Sequence, residues 1–392
     1  MINQSDLKMC SGCGACANAC PKKAIELFPD KSGFLYPTIN KTTCVNCSLC
    51  NDVCQTEKNF TMPAYEQSFY GLVNKNKQHL KASSSGGAFL AMAKYAFDLG
   101  GVVVGCAFND ELRANHIVTH NLDECINKLC GSKYVQSETQ YTYTDVKNLL
   151  HDGKFVLFVG TPCQIEGLLL FLKDKPKNLI TVDLICHGVS SPLLWQKHKE
   201  YLESKVHSKI NSYRFRGKEK NGWSCYYYYY YYGDKNKCKY GSAILDHYYA
   251  DFLSGSNYRK SCYKCKYANL NRIGDITIGD CWGAENFIDG INLNEGISLI
   301  IINSKTGCDL IDKLKDSLIL KKITKENATK YNHNLHTPTP RPLERDNYYE
   351  KCFRNFEKWE KEYTHSRDYI INKVKIATPN VVKKAIKKLL RR

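Results

Sequence analysis

The stretch KFVLFVGTPCQIEG (154–167) predicts the class of the main fold. Its first seven residues form a short, continuous apolar run, which is typical of strands buried inside a parallel sheet. Thr161 suits the N-cap of a following helix and Pro162 suits its first position. Cys163 would then lie in the first helical turn at the carboxyl end of a strand. The helix dipole favours a thiolate there, and α/β folds bind their ligands at that edge.

The same alternation of strand and helix extends on both sides of this stretch. Apolar runs predict strands, and helical patterns lie between them, at 100–108 and 178–186 for the strands and at 86–99, 143–152 and 165–174 for the helices. We therefore predict an α/β core with a mostly parallel sheet.

A second cysteine follows the next predicted strand, because the run at 178–186 ends in Cys186 and His187 comes after it. The carboxyl ends of neighbouring parallel strands meet at one edge of a sheet, so Cys186 and Cys163 should lie near each other. His187 and Asp183 are candidates for moving a proton at this edge. The alternative for His187 is a hydrogen bond that supports a metal cluster.

Two cysteine runs precede the predicted core. CSGCGACANACP (10–21) and CVNCSLCNDVCQ (44–55) both have the spacing C-x2-C-x2-C-x3-C of bacterial two-cluster ferredoxins. Gln55 occupies the place that Pro21 has in the first run. Two zinc sites are the alternative to two clusters.

The fourth cysteine of each run binds the other cluster, so the spacing predicts two 4Fe–4S clusters in an α+β ferredoxin-like domain. The first cluster would be held by Cys10, Cys13, Cys16 and Cys54, and the second by Cys20, Cys44, Cys47 and Cys50.

The composition of the 392-residue chain sets limits on its class. With 43% hydrophobic and 24% charged residues it matches ordinary globular proteins. No apolar run is long enough to span a membrane and no secretory signal is present, so we expect a cytoplasmic protein. Twenty cysteines in a reducing compartment indicate metal or redox chemistry. The net charge of +17 is scattered along the chain without a nucleic-acid-binding motif, so we predict no nucleic-acid partner.

The pair CYKC (262–265) has half of the thiols that a four-ligand site needs. We expect Cys262 and Cys265 to meet Cys163 and Cys186 around a third 4Fe–4S cluster. Cys281 is the alternative candidate for one of these four positions.

Two further motifs suggest a nucleotide-containing cofactor. SSSGGAF (83–89) opens a helix with bare backbone that suits a pyrophosphate, through Ser84, Ser85, Gly86 and Gly87. GSKYVQS (131–137) adds Lys133 as a phosphate contact and Tyr134 as an aromatic face. FAD would fit both motifs.

Taken in this order and spacing, SSSGGAF, GSKYVQS, GTPCQIEG, DLICHGV and the segment from CYKC to CWG resemble the beta-subunit family of coenzyme F-420 hydrogenases and dehydrogenases. The resemblance covers about residues 5–305, with a two-cluster ferredoxin at the N-terminus. It implies an FAD-binding α/β core with its own 4Fe–4S cluster, and it adds Gln136 to the flavin neighbours, beside Thr161 at the strand end. It also implies an iron–sulfur flavoprotein oxidoreductase that exchanges electrons with an external one-electron donor or acceptor protein and a small-molecule substrate.

The alternatives to this function are an iron–sulfur electron-transfer protein without flavin, and a reductase of a polysaccharide or sugar precursor. We predict four parts of the chain: a ferredoxin domain at 1–60, the two parts of the core at 61–155 and 156–335, and a linker with a basic helical tail at 336–392. The tail TPNVVKKAIKKLLRR (378–392) suits either an anionic membrane surface or solvent, so a peripheral membrane contact is a further expectation.

Overall fold

The structure is a computed structural model that describes residues 7–219 and 222–378. The N-terminal part forms a small antiparallel hairpin of β1 (Ile25–Pro29) and β2 (Leu35–Ile39). Two short helices accompany it, α1 (Ala15–Ala19) and α2 (Leu49–Asp52), and each of them contains a cysteine of one cysteine run.

An eight-stranded sheet forms the centre of the described chain, in the order β13-β3-β12-β11-β7-β6-β4-β5. Its strands are β3 (Ser68–Asn74), β4 (Val102–Phe108), β5 (Ala114–Thr119), β6 (Val156–Gly160), β7 (Leu179–Leu184), β11 (Ile276–Asp280), β12 (Ser298–Ile302) and β13 (Leu318–Lys322). The four central strands β11, β7, β6 and β4 are parallel, whereas the flanking pairs are antiparallel.

The prediction of a mostly parallel sheet is therefore correct for the centre and wrong for the whole sheet. At one edge the turn 109–113 joins β4 to β5, and it is too short for the crossover that a parallel pair requires. The three strands predicted from apolar runs correspond to β4, β6 and β7, all of which lie in the parallel centre.

Helices cover both faces of this sheet. They are α3 (Lys77–Ala82), α4 (Ala88–Asp98), α5 (Leu122–Lys128), α6 (Thr142–His151), α7 (Pro162–Leu172), α8 (Pro192–Val206), α9 (His247–Ser254), α10 (Lys305–Leu314) and α11 (Lys325–Lys330). Helices α4 and α10 contribute to one apolar core, and α6 and α7 contribute to another that also includes Ala15 and Val53 of the N-terminal part. The cysteine-rich part is thus packed against the core rather than tethered to it.

The run of tyrosines at 226–232 forms a strand, as its aromatic content predicts. An antiparallel sheet of three strands contains it, β8 (Ile210–Arg214), β9 (Tyr227–Tyr232) and β10 (Lys237–Ser242). Tyr228 and Tyr230 stack with Tyr213 of β8. Packing within the sheet therefore accounts for these rings.

Three helices form the C-terminal extension, α12 (Arg345–Arg354), α13 (Phe356–Thr364) and α14 (Arg367–Ala377). Arg345 is buried, and its Nε donates to the Tyr258 carbonyl over 2.7 Å, which attaches the extension to the segment before Cys262. The predicted helical extension is confirmed, while the basic tail after Thr378 lies outside the described residues. In the described ranges, every helix is too short or too polar to cross a membrane.

A buried ion pair joins β7 to the segment before β11. Arg272 donates to the Asp183 carboxylate over 2.7 Å, and both side chains are inaccessible to solvent. The same carboxylate accepts the backbone N–H groups of Ile273 and Gly274 at 3.2 and 3.0 Å. Asp183 therefore satisfies four donors that would otherwise be buried without partners.

We predict that Asp183→Ala lowers the free energy of unfolding by about 3–5 kcal/mol, because it leaves the Arg272 charge buried and unpaired. Chemical denaturation measures this loss. The double substitution Asp183→Leu with Arg272→Leu should recover part of it, since no lone charge remains.

Asp98→Ala is the control, because Asp98 pairs with Lys94 on the exposed surface of α4 and its loss should change stability little. Equal losses for Asp183→Ala and Asp98→Ala would contradict the assignment.

Candidate functional site

The four thiols expected around a third cluster come from three separate segments of the core. Cys163 lies in the first turn of α7, and Cys186 lies two residues after β7 ends. Cys262 belongs to a short 3-10 helix, Lys260–Lys264, which Cys265 terminates. A bridge between Ser190 and Tyr258 pairs the segment after Cys186 with the segment before Cys262. The four cysteines therefore reach the same edge of the sheet.

Local structure fixes Cys163 in the way the sequence predicts. Thr161 and Gln164 form a capping box at the start of α7, and Pro162 occupies its first turn. The Thr161 hydroxyl also lies 3.1 Å from the Cys163 sulfur. Thr161 thus caps the helix and contacts the thiol at once.

Burial dominates the acidity of these four thiols. It raises the pKa of Cys163 to about 11 and that of Cys262 to about 12, and it also raises the pKa values of Cys186 and Cys265. Repulsion from the other three thiols adds to the effect at Cys186, which shows that the four sulfurs are neighbours. Buried thiols of this kind fit a cluster, because iron stabilises the thiolate that burial alone disfavours.

The first N-terminal group of cysteines is also brought together. Burial raises the pKa of Cys13 to about 12 and strongly raises that of Cys16, and both thiols experience repulsion from Cys10. Cys54, from the other run, acts on Cys16 in the same way. This is the crossed arrangement that the ferredoxin spacing predicts.

The second group is nearer the surface. Cys20, Cys44, Cys47 and Cys50 all line one small cavity of about 20 Å³. Cys47 is exposed, and the backbone N–H of Ala24 donates to the Cys20 sulfur over 3.2 Å. Within residues 7–219 and 222–378, no three His, Cys, Asp or Glu side chains form a group suited to a single metal ion.

A cavity of about 330 Å³ opens beside the core thiols, which is within the usual size of small-molecule sites. Most residues that the sequence predicts for the cofactor line it, together with two of the core cysteines and the candidate histidine: Ser84, Ser85, Gly87, Lys133, Tyr134, Gln136, Thr161, Cys163, Cys186 and His187. Ser11 and Gly12 of the first cysteine run also reach this cavity. The thiol site, the N-terminal part and the cavity are therefore contiguous.

One wall of the cavity has the features of an anion site. No side chain caps the N-terminus of α4, where Gly87 adopts the left-handed φ of 84°. The backbone N–H of Ser132 donates to the Ser84 hydroxyl over 3.2 Å, so the two predicted motifs are adjacent. Free N–H groups at a helix start bind phosphate groups, and this wall fits the pyrophosphate of FAD.

Gly86 serves the packing of this wall rather than the cavity. A Cβ atom on Gly86 would lie 2.1 Å from the Leu72 carbonyl oxygen, so only glycine fits. Its N–H donates to the Ser298 hydroxyl over 2.9 Å. Gly86 therefore holds the loop against the sheet.

Three predicted cofactor neighbours make their polar contacts with the protein. The Lys133 ammonium donates to three carbonyls at the end of α5, at 2.9–3.1 Å, and burial lowers its pKa. The Tyr134 ring stacks on Phe252 at 4.3 Å. The Gln136 amide donates to the Ser11 carbonyl and accepts from Arg259. These contacts leave the cavity wall rigid, and Lys133 has no free N–H for a phosphate.

The two candidates for proton transfer differ in position. His187 lines the cavity, and burial lowers the pKa of its imidazole against the opposing effect of the Asp280 carboxylate. Asp183 does not line the cavity, and its carboxylate is committed to Arg272 and two backbone N–H groups. This placement favours a structural role for Asp183 over the proton transfer that we expected.

Cys281, the alternative ligand, lies apart from the thiol site. It is buried in the apolar cluster around Leu299 and Ile301, and burial raises the pKa of its thiol to about 12. The charges that act on it are Asp280 and Glu285. The structure thus brings Cys262 and Cys265, and not Cys281, to Cys163 and Cys186.

Sequence reasoning missed Arg259 and Arg216. Arg259 is fully buried and donates to the carbonyls of Cys10 and Leu35 at 2.7 and 2.9 Å, which binds the cysteine-rich part to the core. Arg216 forms two hydrogen bonds with Asp280 at the cavity wall, at 2.6 and 2.9 Å. Neither residue belongs to a recognisable motif, so only the folded chain identifies them.

Comparison with known proteins agrees with this geometry. Residues 153–327 match the family described as the C terminus of the coenzyme F-420 hydrogenase/dehydrogenase beta subunit, and residues 9–58 match the 4Fe–4S dicluster domain. An uncharacterized polyferredoxin-like protein of Methanocaldococcus jannaschii is 40% identical over 55 residues, which are 12% of this chain and 33% of that protein. The chain thus spans about a third of the length of this curated relative.

A solved structure of the F-420-reducing NiFe hydrogenase complex from Methanosarcina barkeri contains a similar chain, with 18% identity and a TM-score of 0.45 over 70% of this chain and 91% of that chain. The family matches, and not this weak structural likeness, identify the domains. This chain therefore combines a 4Fe–4S dicluster domain with the C-terminal domain of the coenzyme F-420 hydrogenase/dehydrogenase beta-subunit family, and it is an iron–sulfur protein of an oxidoreductase family.

Proposed function

We propose that the protein is an iron–sulfur flavoenzyme that passes electrons between an external one-electron carrier and a small-molecule substrate. Electrons would travel through the two N-terminal cluster sites and the core thiol site to FAD in the adjoining cavity, or in the reverse direction. Coenzyme F-420, which the family description names, is the first substrate to test.

The observation that carries this proposal is the meeting of four thiols at the wall of the cavity. Cys163 and Cys186 line it, while Cys262 and Cys265 lie behind them. FAD, when bound, exchanges hydride with a substrate and single electrons with a cluster. A thiol site that shares a wall with a cofactor cavity supports both exchanges within one protein.

The residues of this chain have separate roles in the proposal. The N-terminus of α4 and Ser84 would hold the pyrophosphate, and the Lys133 and Tyr134 contacts would fix the opposite wall. Thr161 would hydrogen-bond the sulfur of Cys163 and thereby orient it. His187 is the candidate for proton transfer, because it lines the cavity.

We predict about twelve irons per chain after anaerobic purification, corresponding to three 4Fe–4S clusters. Cys163→Ser and Cys262→Ser should each lose about four of them, because each removes one thiolate of the core cluster. Iron and acid-labile sulfide analysis of the purified full-length protein measures this. Cys281→Ala is the matched control and should keep all twelve, since Cys281 is equally buried but lies apart from the four thiols. Full iron content in Cys163→Ser would exclude Cys163 as a ligand.

We also predict about one FAD per chain and a loss of at least about tenfold in its binding for Ser84→Asp, because a carboxylate beside the pyrophosphate repels it. Ser84→Asn has nearly the same size without the charge and should retain most of the flavin. Flavin released by acid is measured from its absorbance, with iron content as a check on folding. Twelve irons without flavin in the unmodified protein would favour the electron-transfer alternative, and equal flavin in both variants would place the pyrophosphate elsewhere.

A further inference from the structure

The first N-terminal thiol group faces the core, and the second faces away from it. Thr139 donates to the Cys13 carbonyl over 2.8 Å, and a Cβ atom on Gly167 of α7 would lie 3.0 Å from the Cys13 sulfur. The Cys13 and Cys163 thiols are close enough that each contributes to the electrostatics of the site, since Cys163 raises the pKa of Cys13 beside the larger effect of burial. Cys47 of the second group is exposed. The two thiol groups that meet at the domain interface are therefore those of Cys13 and Cys163.

Gln55 lies between these two groups, at the position where the first cysteine run has Pro21. Its side chain is buried, and its amide nitrogen donates to the Ser11 hydroxyl over 2.8 Å and to the Cys163 carbonyl over 3.1 Å. A proline at this position could donate neither bond, because its side chain has no polar group.

Residues beside the core thiols complete the contacts of Gln55. Its amide oxygen accepts the hydroxyl of Tyr267, and its backbone carbonyl accepts Lys266 Nζ over 2.9 Å. Both donors follow Cys265 directly in the sequence, just as Gln55 follows Cys54. Gln55 thus joins the neighbours of a ligand candidate in each domain, and none of its side-chain polar atoms is left without a partner.

Hydrogen bonds from this set reach sulfur on both sides of the interface. Burial raises the pKa of Cys163, and hydrogen bonds from Thr161 and then Ser11 oppose it. At Cys13 burial again dominates, and a hydrogen bond from the Gln55 side chain is among the opposing effects. Ser11, from the N-terminal part, therefore acts on a core thiol, and Gln55 acts on the Cys13 thiol while it contacts the Cys163 backbone.

We propose that Gln55 and Ser11 form a polar bridge shared by two cluster sites, the one of Cys10, Cys13, Cys16 and Cys54 and the one of Cys163, Cys186, Cys262 and Cys265. The bridge sets the reduction potentials of both sites and holds them at a fixed separation. It rests on the proposed function, because it requires a cluster at the core thiols. Gln55 and Ser11 are positioning residues, since they act through the cysteines.

The physical basis is the stabilisation of negative charge. Hydrogen bonds to the sulfurs are one of the determinants of a cluster's reduction potential. A donor favours the more negative, reduced state, so its removal lowers the potential. Because one glutamine contacts both sites, its loss should lower both potentials together.

The test is a reductive titration of the anaerobically purified full-length protein, followed by electron paramagnetic resonance, with iron content measured on each sample. We expect Gln55→Leu to keep about twelve irons. Each of the two cluster signals should change about tenfold in its reduced-to-oxidised ratio at a fixed potential, which is about 59 mV for a one-electron couple. Ser11→Ala, a smaller change that should disturb folding less, should shift the core signal in the same direction.

Thr56→Val is the matched control. Thr56 lies next to Gln55, and its hydroxyl is 3.0 Å from the Cys54 sulfur within the N-terminal part. Its substitution should shift the N-terminal signal and leave the core signal unchanged, since the described contacts of this hydroxyl do not reach the core thiols.

The outcomes separate the two proposals. Twelve irons in every sample, with a core signal that neither Gln55→Leu nor Ser11→Ala shifts, would overturn the bridge while the proposed function stands. Eight irons in the unmodified protein would overturn both, because no core cluster would be present. If Gln55→Leu loses iron, the Ser11→Ala titration decides the question alone.

Discussion

The parallel pairing of β6 with β7 is the constraint on which the candidate site depends. In this register Gly160 pairs with Asp183. Cys163 and Cys186 each follow their paired residue by three positions, so both thiols leave the sheet at the same height. A slip of one residue would separate them by about 3.3 Å and turn the strand's side chains to the opposite faces.

The other half of the thiol site depends on how the chain returns to the sheet. The segment with Cys262 and Cys265 is held at one end by the Ser190–Tyr258 bridge and at the other by Arg272 on Asp183. Asp183 therefore contributes to the site without lining the cavity. Its buried charge is costly, but four donors compensate for it and define a single path for the returning segment.

The extent to which the sequence predicts this structure follows from the range of each interaction. The cysteine spacing, the Thr161 cap and the apolar runs of β4, β6 and β7 are local, and the structure has them where the patterns predict. The antiparallel edges of the sheet and the contacts of Lys133 and Gln136 are set by residues distant in the sequence, and no spacing encodes them. Cys281 shows the same limit, because only the packing around β12 assigns it to an apolar cluster.

Gln55 illustrates why a departure from a motif carries information. Within the cysteine run alone, glutamine in place of proline only loosens a turn, since proline fixes φ and glutamine does not. In the folded chain the same amide is buried with all of its partners satisfied, and a buried polar group of this kind favours one docking arrangement over others that would leave it unpaired. The loss of local stiffness is thus offset by specificity in how the N-terminal part docks. The position of the cluster domain on the core depends on polar contacts such as this one as well as on apolar packing.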